Sequence, residues 1–137
     1  MKNNNDPFVL QYAECMKRVE DDELNAVAIL KDRDGTPAHV CFTCQQMAEK
    51  CFKAFLVVSV HDYPKVHSLD KLLEICAKED VSFFDLKDEA ILLNEYYMEA
   101  RYPDNMPLES FTWEMAEEAY AAAEKIKKFV LKSYITT

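Results

Sequence analysis

Apolar residues recur along this chain at steps of three and four. Val9, Tyr12, Met16 and Val19, then Leu24, Val27 and Ala28, predict a helix over about residues 8 to 31. Asp6-Pro7 supplies its start, an acceptor side chain followed by proline at the first helical position. The acidic run Glu20-Asp21-Asp22-Glu23 lies between the two apolar sets and is expected to bend or break the helix. Asp34-Gly35-Thr36-Pro37 reads as a turn. Cys41, Cys44, Ala48, Cys51, Phe55 and Val58 then step by 3, 4, 3, 4 and 3, which is one helix face. Phe42, Met47, Phe52 and Leu56 make other faces apolar too, so this second helix, about residues 38 to 60, is expected to be central and mostly buried.

The remainder follows the same rhythm. Ser68 caps a short third helix carrying Leu69, Leu72, Leu73 and Cys76 on one face. Ser82, with Asp85 three residues on, reads as a capping box for a fourth, along Phe83, Leu86, Ala90, Leu93 and Tyr97. Pro103 disfavours helical geometry at Tyr102 and is expected to end it. Thr112 caps a last helix, to about residue 134, with Met115, Ala119, Ala122, Ile126 and Phe129 on one face. The fold class is therefore all-α. Short connections between helices predict an antiparallel up-and-down bundle of about five, a single domain over residues 1–137.

Composition narrows the functions open to such a bundle. There is one glycine, Gly35. A P-loop or a dinucleotide fingerprint needs several, because backbone must approach phosphate and turn tightly. The net charge of −9 disfavours general binding to a phosphate backbone. Lys125, Lys127, Lys128 and Lys132 form a local basic stretch, read first as complementing the negative end of the last helix dipole. The longest apolar run, Phe55 to Val60, is interrupted by Ser59 and is too short to span a bilayer. No apolar signal core follows the N-terminus, so a cytoplasmic location without membrane attachment is expected. Five cysteines in such a chain point to reduced thiols rather than a disulfide framework.

Cys41-Phe42-Thr43-Cys44 is a C-x-x-C, yet no second pair completes four zinc ligands and no βαβ context supports a redox role. These cysteines share the apolar stripe with Cys51 and are read as core. His39, His61 and His67 do not form a metal pair; His67 is read first as bonding to backbone before the third helix. No metal, cofactor or catalytic residue is assigned. Glu49 and Lys53 stand four residues apart in the favourable order, either as a salt bridge on an exposed stripe or, with Gln46 and Lys50, converging on an anionic ligand. Arg101 is one of three arginines, beside Tyr102 and Asp104. An arginine fork suits phosphate and a tyrosine ring can stack on a base; alternatively Arg101 pairs with Asp104 and fixes the loop.

Taken in order, Gln45-Gln46-Met47-Ala48-Glu49-Lys50-Cys51-Phe52-Lys53-Ala54, His67-Ser68-Leu69, Ala100-Arg101-Tyr102-Pro103-Asp104 and Ala116-Glu117-Glu118-Ala119 resemble the HEPN family, the nucleotide-binding domain of higher eukaryotes and prokaryotes. The family pattern is a Q-A-A-E-K-x-x-K-A helix, a T-H-D-L helix start and an R-Y-P-D loop. The resemblance spans nearly the whole chain. It implies a bundle that often forms homodimers. It also implies a nucleotide or other anionic small molecule as ligand, with a minimal nucleotidyltransferase as partner. The ligand site it implies is Glu49, Lys50, Lys53, His67, Arg101, Tyr102 and Asp104. Two departures stand out. The family's ribonucleases use an R-x4-6-H motif, and here no histidine follows His67. Ser68 also replaces the usual aspartate. The expectation is therefore a non-catalytic binding module; the alternatives are an RNA-cleaving toxin or nuclease, and a dimeric adaptor without a small ligand.

Overall fold

The computed structural model describes residues 5–97 and 107–136. The first helix, α1 (Pro7–Asp32), begins where Asp6 accepts the backbone N–H of Phe8 at 2.8 Å. It runs without a break through the acidic run, contrary to the expected interruption. The reason is that two of the four acidic side chains reach cations on other helices: Asp22 pairs with Lys50 at 2.7 Å, and Glu23 pairs with Lys127 and accepts the Tyr120 hydroxyl at 2.8 Å.

The helix closes on Arg33, whose φ of 55° is left-handed and whose N–H donates to the Ile29 carbonyl at 2.7 Å. Gly35 follows with φ 140°, a conformation side chains avoid, and a Cβ there would stand 3.3 Å from Ile29 Cγ2. Thr36 then accepts the His39 N–H at 3.2 Å and opens α2 (Pro37–Val60). This helix also ends on a left-handed residue, His61, at φ 56°. Both cap residues rest on rings of other helices. His61 stacks on Phe8 of α1 with centroids 3.9 Å apart, and the Arg33 guanidinium lies 5.2 Å from the ring centre of Trp113.

Ser68 caps α3 (Leu69–Glu79) as expected, accepting from Lys71 N–H. The next start differs from expectation. Asp80, not Ser82, is the acceptor, taking the Ser82 N–H at 3.0 Å and its hydroxyl at 2.6 Å. With that hydroxyl engaged, residues Val81–Leu86 form a 3₁₀ helix, and α4 covers only Lys87–Asn94. Asn94 ends it by reaching across to α3, its Oδ1 accepting the Leu69 N–H at 2.8 Å. The expected stop at Pro103 lies outside the described residues. A 3₁₀ turn, Leu108–Ser110, leads to α5 (Trp113–Thr136), capped by Thr112 accepting from Met115 N–H at 3.1 Å.

The α2 helix is the axle of this antiparallel bundle. It packs against α1 and α5 along its length and touches α3 and α4. Met47, Phe52 and Leu56 are wholly buried, and Phe83 fills the space among Phe52, Phe55 and Phe129. All five cysteines are buried and unpaired. Burial pushes the Cys41 thiol up to about 11 and Cys44 to about 12, and Cys51 further still. The C-terminal lysines do more than complement a dipole. Lys127 clamps Glu23, Lys125 reaches Glu89 of α4 at 3.0 Å, and Lys128 lies 3.5 Å from Glu124. No described helix is long and apolar enough to cross a membrane.

Candidate functional site

Three polar residues interrupt the apolar surface of α2 at four-residue intervals, Gln45, Glu49 and Lys53, and all three are buried. Four-residue spacing stacks them on one stripe. The pair Glu49–Lys53 is therefore not the exposed salt bridge that was one expectation; its side chains retain 9% and 4% of their accessible surface. Lys53 Nζ donates to Glu49 Oε2 at 3.1 Å. His67, from the segment before α3, brings Nδ1 to the same oxygen at 3.0 Å. His67 is thus tied to a carboxylate rather than to backbone. Its ring stacks on Tyr97, centroids 5.6 Å apart, and about half of its side chain faces solvent.

The stripe holds two buried polar atoms without partners, Glu49 Oε1 and Gln45 Nε2, one an acceptor and one a donor. Gln46, which the sequence grouped with the site, is exposed, and its side-chain amide donates to Gln45 Oε1 at 2.7 Å.

Of the site residues expected from sequence, Glu49, Lys53 and His67 come together. Lys50 points to the α1 side, where Asp22 holds it. Arg101, Tyr102 and Asp104 lie outside the described residues. Between α1, α2 and the segment after α2 runs a groove of about 190 Å³, lined by Gln11, Glu14, Cys15, Arg18, Lys50 and Tyr63. Tyr63 joins it to the buried stripe, since Lys53 Nζ stands 5.1 Å from that ring's centre. Arg18 and Tyr63 escaped the sequence reading. Arg18 is one exposed charge on α1 that no motif singles out, and Tyr63 sits in a loop whose course no periodicity sets. Burial raises the pKa of the Tyr63 phenol, and the Cys15 and Glu49 side chains act in the same direction. Burial likewise raises that of the Cys15 thiol. Neither group is a ready nucleophile.

The HEPN domain model matches residues 13–134. Two solved structures superpose closely. One is TT1696 from Thermus thermophilus, with a TM-score of 0.75 and 31% identity, covering 89% of this chain and 97% of that one. The other is ST0689, described as an archaeal HEPN homologue, with a TM-score of 0.72 and 25% identity, covering 89% and 96%. No functionally curated protein matches at a significant level. The family match covers α2 with its buried Gln45–Glu49–Lys53 stripe and the His67 that closes on it, and the chain belongs to the HEPN domain family.

Proposed function

We propose that this chain is a non-catalytic binding module for a nucleotide or for a nucleotidyltransferase-like partner that presents one. The observation that supports it best is the burial of Glu49 and Lys53 with His67 held at the rim. A fold gains little by burying an ion pair when apolar residues would pack as well, so charges kept there invite a role in recognition. Lys53 is pre-positioned, and His67, fixed at Nδ1, keeps about half of its side chain open to solvent. In this reading Arg101 and Tyr102 add phosphate and base contacts from the loop, and the chain works as a homodimer. The absence of any histidine after His67 supports binding without RNA cleavage.

Calorimetric titration with nucleoside mono- and triphosphates tests the proposal. A dissociation constant below about 1 mM supports it, and Arg101→Ala should weaken binding roughly ten- to hundredfold, the worth of a charge-assisted hydrogen bond. If Arg101 only locks its loop through Asp104, the same variant melts lower with affinity unchanged. Metal-independent RNA cleavage by the wild type, lost in Arg101→Ala, would overturn the non-catalytic assignment.

A further inference from the structure

We infer that the groove between α1 and α2 is where the ligand's phosphate and ring are read, with Arg18 and Lys50 holding the phosphate and Tyr63 stacking on the ring. The inference rests on the nucleotide-binding reading and assigns it a place and a ligand size. The groove joins two cations and an aromatic ring, the pair of features that phosphate and base require. Lys53 adds a third cation at its inner edge, over the same tyrosine. Each cation already has a carboxylate: Glu14 for Arg18, Asp22 for Lys50, Glu49 for Lys53. The six charges cancel, so the groove does not draw anions from a distance. It holds them by directed hydrogen bonds.

The donors for those bonds exist. An ammonium has three, and Lys50 gives one to Asp22. The Arg18–Glu14 contact is 3.6 Å long between side chains 69% and 57% exposed, a pair that a phosphate can displace with little loss. Size sets the ligand class. A volume of about 190 Å³ falls below the roughly 300–1,000 Å³ of pockets that enclose a drug-sized molecule. It encloses little more than the phosphate and part of a nucleoside, with the rest of the ligand in solvent.

The test is calorimetric titration of AMP and of ribose 5-phosphate into wild type, Arg18→Ala, Tyr63→Ala, Tyr63→Phe and Glu14→Gln. Arg18→Ala should weaken both ligands about tenfold, as loss of a charged hydrogen bond does. Tyr63→Ala should weaken AMP by about the same factor and leave ribose 5-phosphate unchanged, while Tyr63→Phe keeps the stack and the affinity. Glu14→Gln should tighten both ligands about threefold by freeing Arg18, a gain that no purely structural role of Glu14 would give. If wild type binds AMP and Arg18→Ala and Tyr63→Ala bind it equally well, the groove is refuted and the nucleotide-binding reading survives. If wild type binds neither ligand, both fall.

Discussion

Replacing Lys53 by methionine isolates the cost of leaving Glu49 alone. Methionine refills the space of the lysine stem, so the change in packing is small. What goes is the ammonium that donates to Glu49 Oε2 at 3.1 Å, in a place where the carboxylate keeps 9% of its accessible surface. Its other oxygen already has no partner, and His67 is the remaining contact. Breaking a buried pair from one side costs about 3–5 kcal/mol. Because His67 stays in place, the lower end, about 3 kcal/mol, applies. For a domain of this size that lowers Tm by on the order of 10 °C. Circular dichroism melts and urea titrations at neutral pH measure it. The double variant Glu49→Gln/Lys53→Met should recover most of the loss, because no buried charge remains. A loss below about 1 kcal/mol in Lys53→Met, the value of an exposed pair, would refute the reasoning.

Three further outcomes follow from other contacts. Burial raises the pKa of the Glu23 carboxyl, but hydrogen bonds from Lys127 and Tyr120 outweigh it, and the group ends below its ordinary value. That stability is present above the unfolded pKa of about 4.3 and is lost as pH falls through the folded one. Glu23→Gln should therefore flatten the decline of Tm below about pH 4.5, and a slope equal to wild type would count against the clamp. Cys41, Cys44 and Cys51 should resist thiol reagents in the native state and react on denaturation; rapid native labelling of all three, or stoichiometric zinc, would contradict their burial. Light scattering should find a dimer at tens of micromolar (roughly the range of an obligate one), and a monomer there would refute it. With α2 largely enclosed, the exposed apolar side chains that such a contact could cover include Leu10, Leu24, Val81, Phe84, Ile91 and Leu108.

The bundle was legible because its helices carry their boundaries in side-chain chemistry. Asp6-Pro7, Ser68 and Thr112 each cap the helix that the sequence assigned to them, and Thr36, legible only as part of a turn, caps α2. The errors fall where another side chain, distant in one case and adjacent in the other, overrides the expected signal. Glu20-Asp21-Asp22-Glu23 repels itself locally, and nothing in the local sequence shows that Lys50 and Lys127 wait on other helices. Ser82 looks like a cap until Asp80, two residues earlier, takes its hydroxyl. At the site, the motif placed Glu49, Lys53 and His67 together, but spacing alone did not reveal that the pair is buried. Gln45 and Gln46 are adjacent glutamines, and only packing decides which one turns inward.

The two left-handed helix ends fasten three helices of the bundle to one another. Arg33 and His61 adopt a backbone conformation for which glycine is the usual choice, yet the chain has a single glycine and places it elsewhere. Each non-glycine residue there carries a penalty of roughly 1 kcal/mol and gains a side chain that grips a ring on another helix. The His61–Phe8 stack ties the end of α2 to the start of α1, and Arg33 on Trp113 ties the end of α1 to the start of α5. Glycine at either position would relax the backbone and open the clasp, so the two effects oppose each other in Tm. They need not oppose each other in flexibility. A His61→Gly chain can be as stable as wild type while its loop, with Tyr63 two residues on, swings more freely over the groove. Substitutions at helix ends are thus a way to tune access to the groove without touching a residue that lines it.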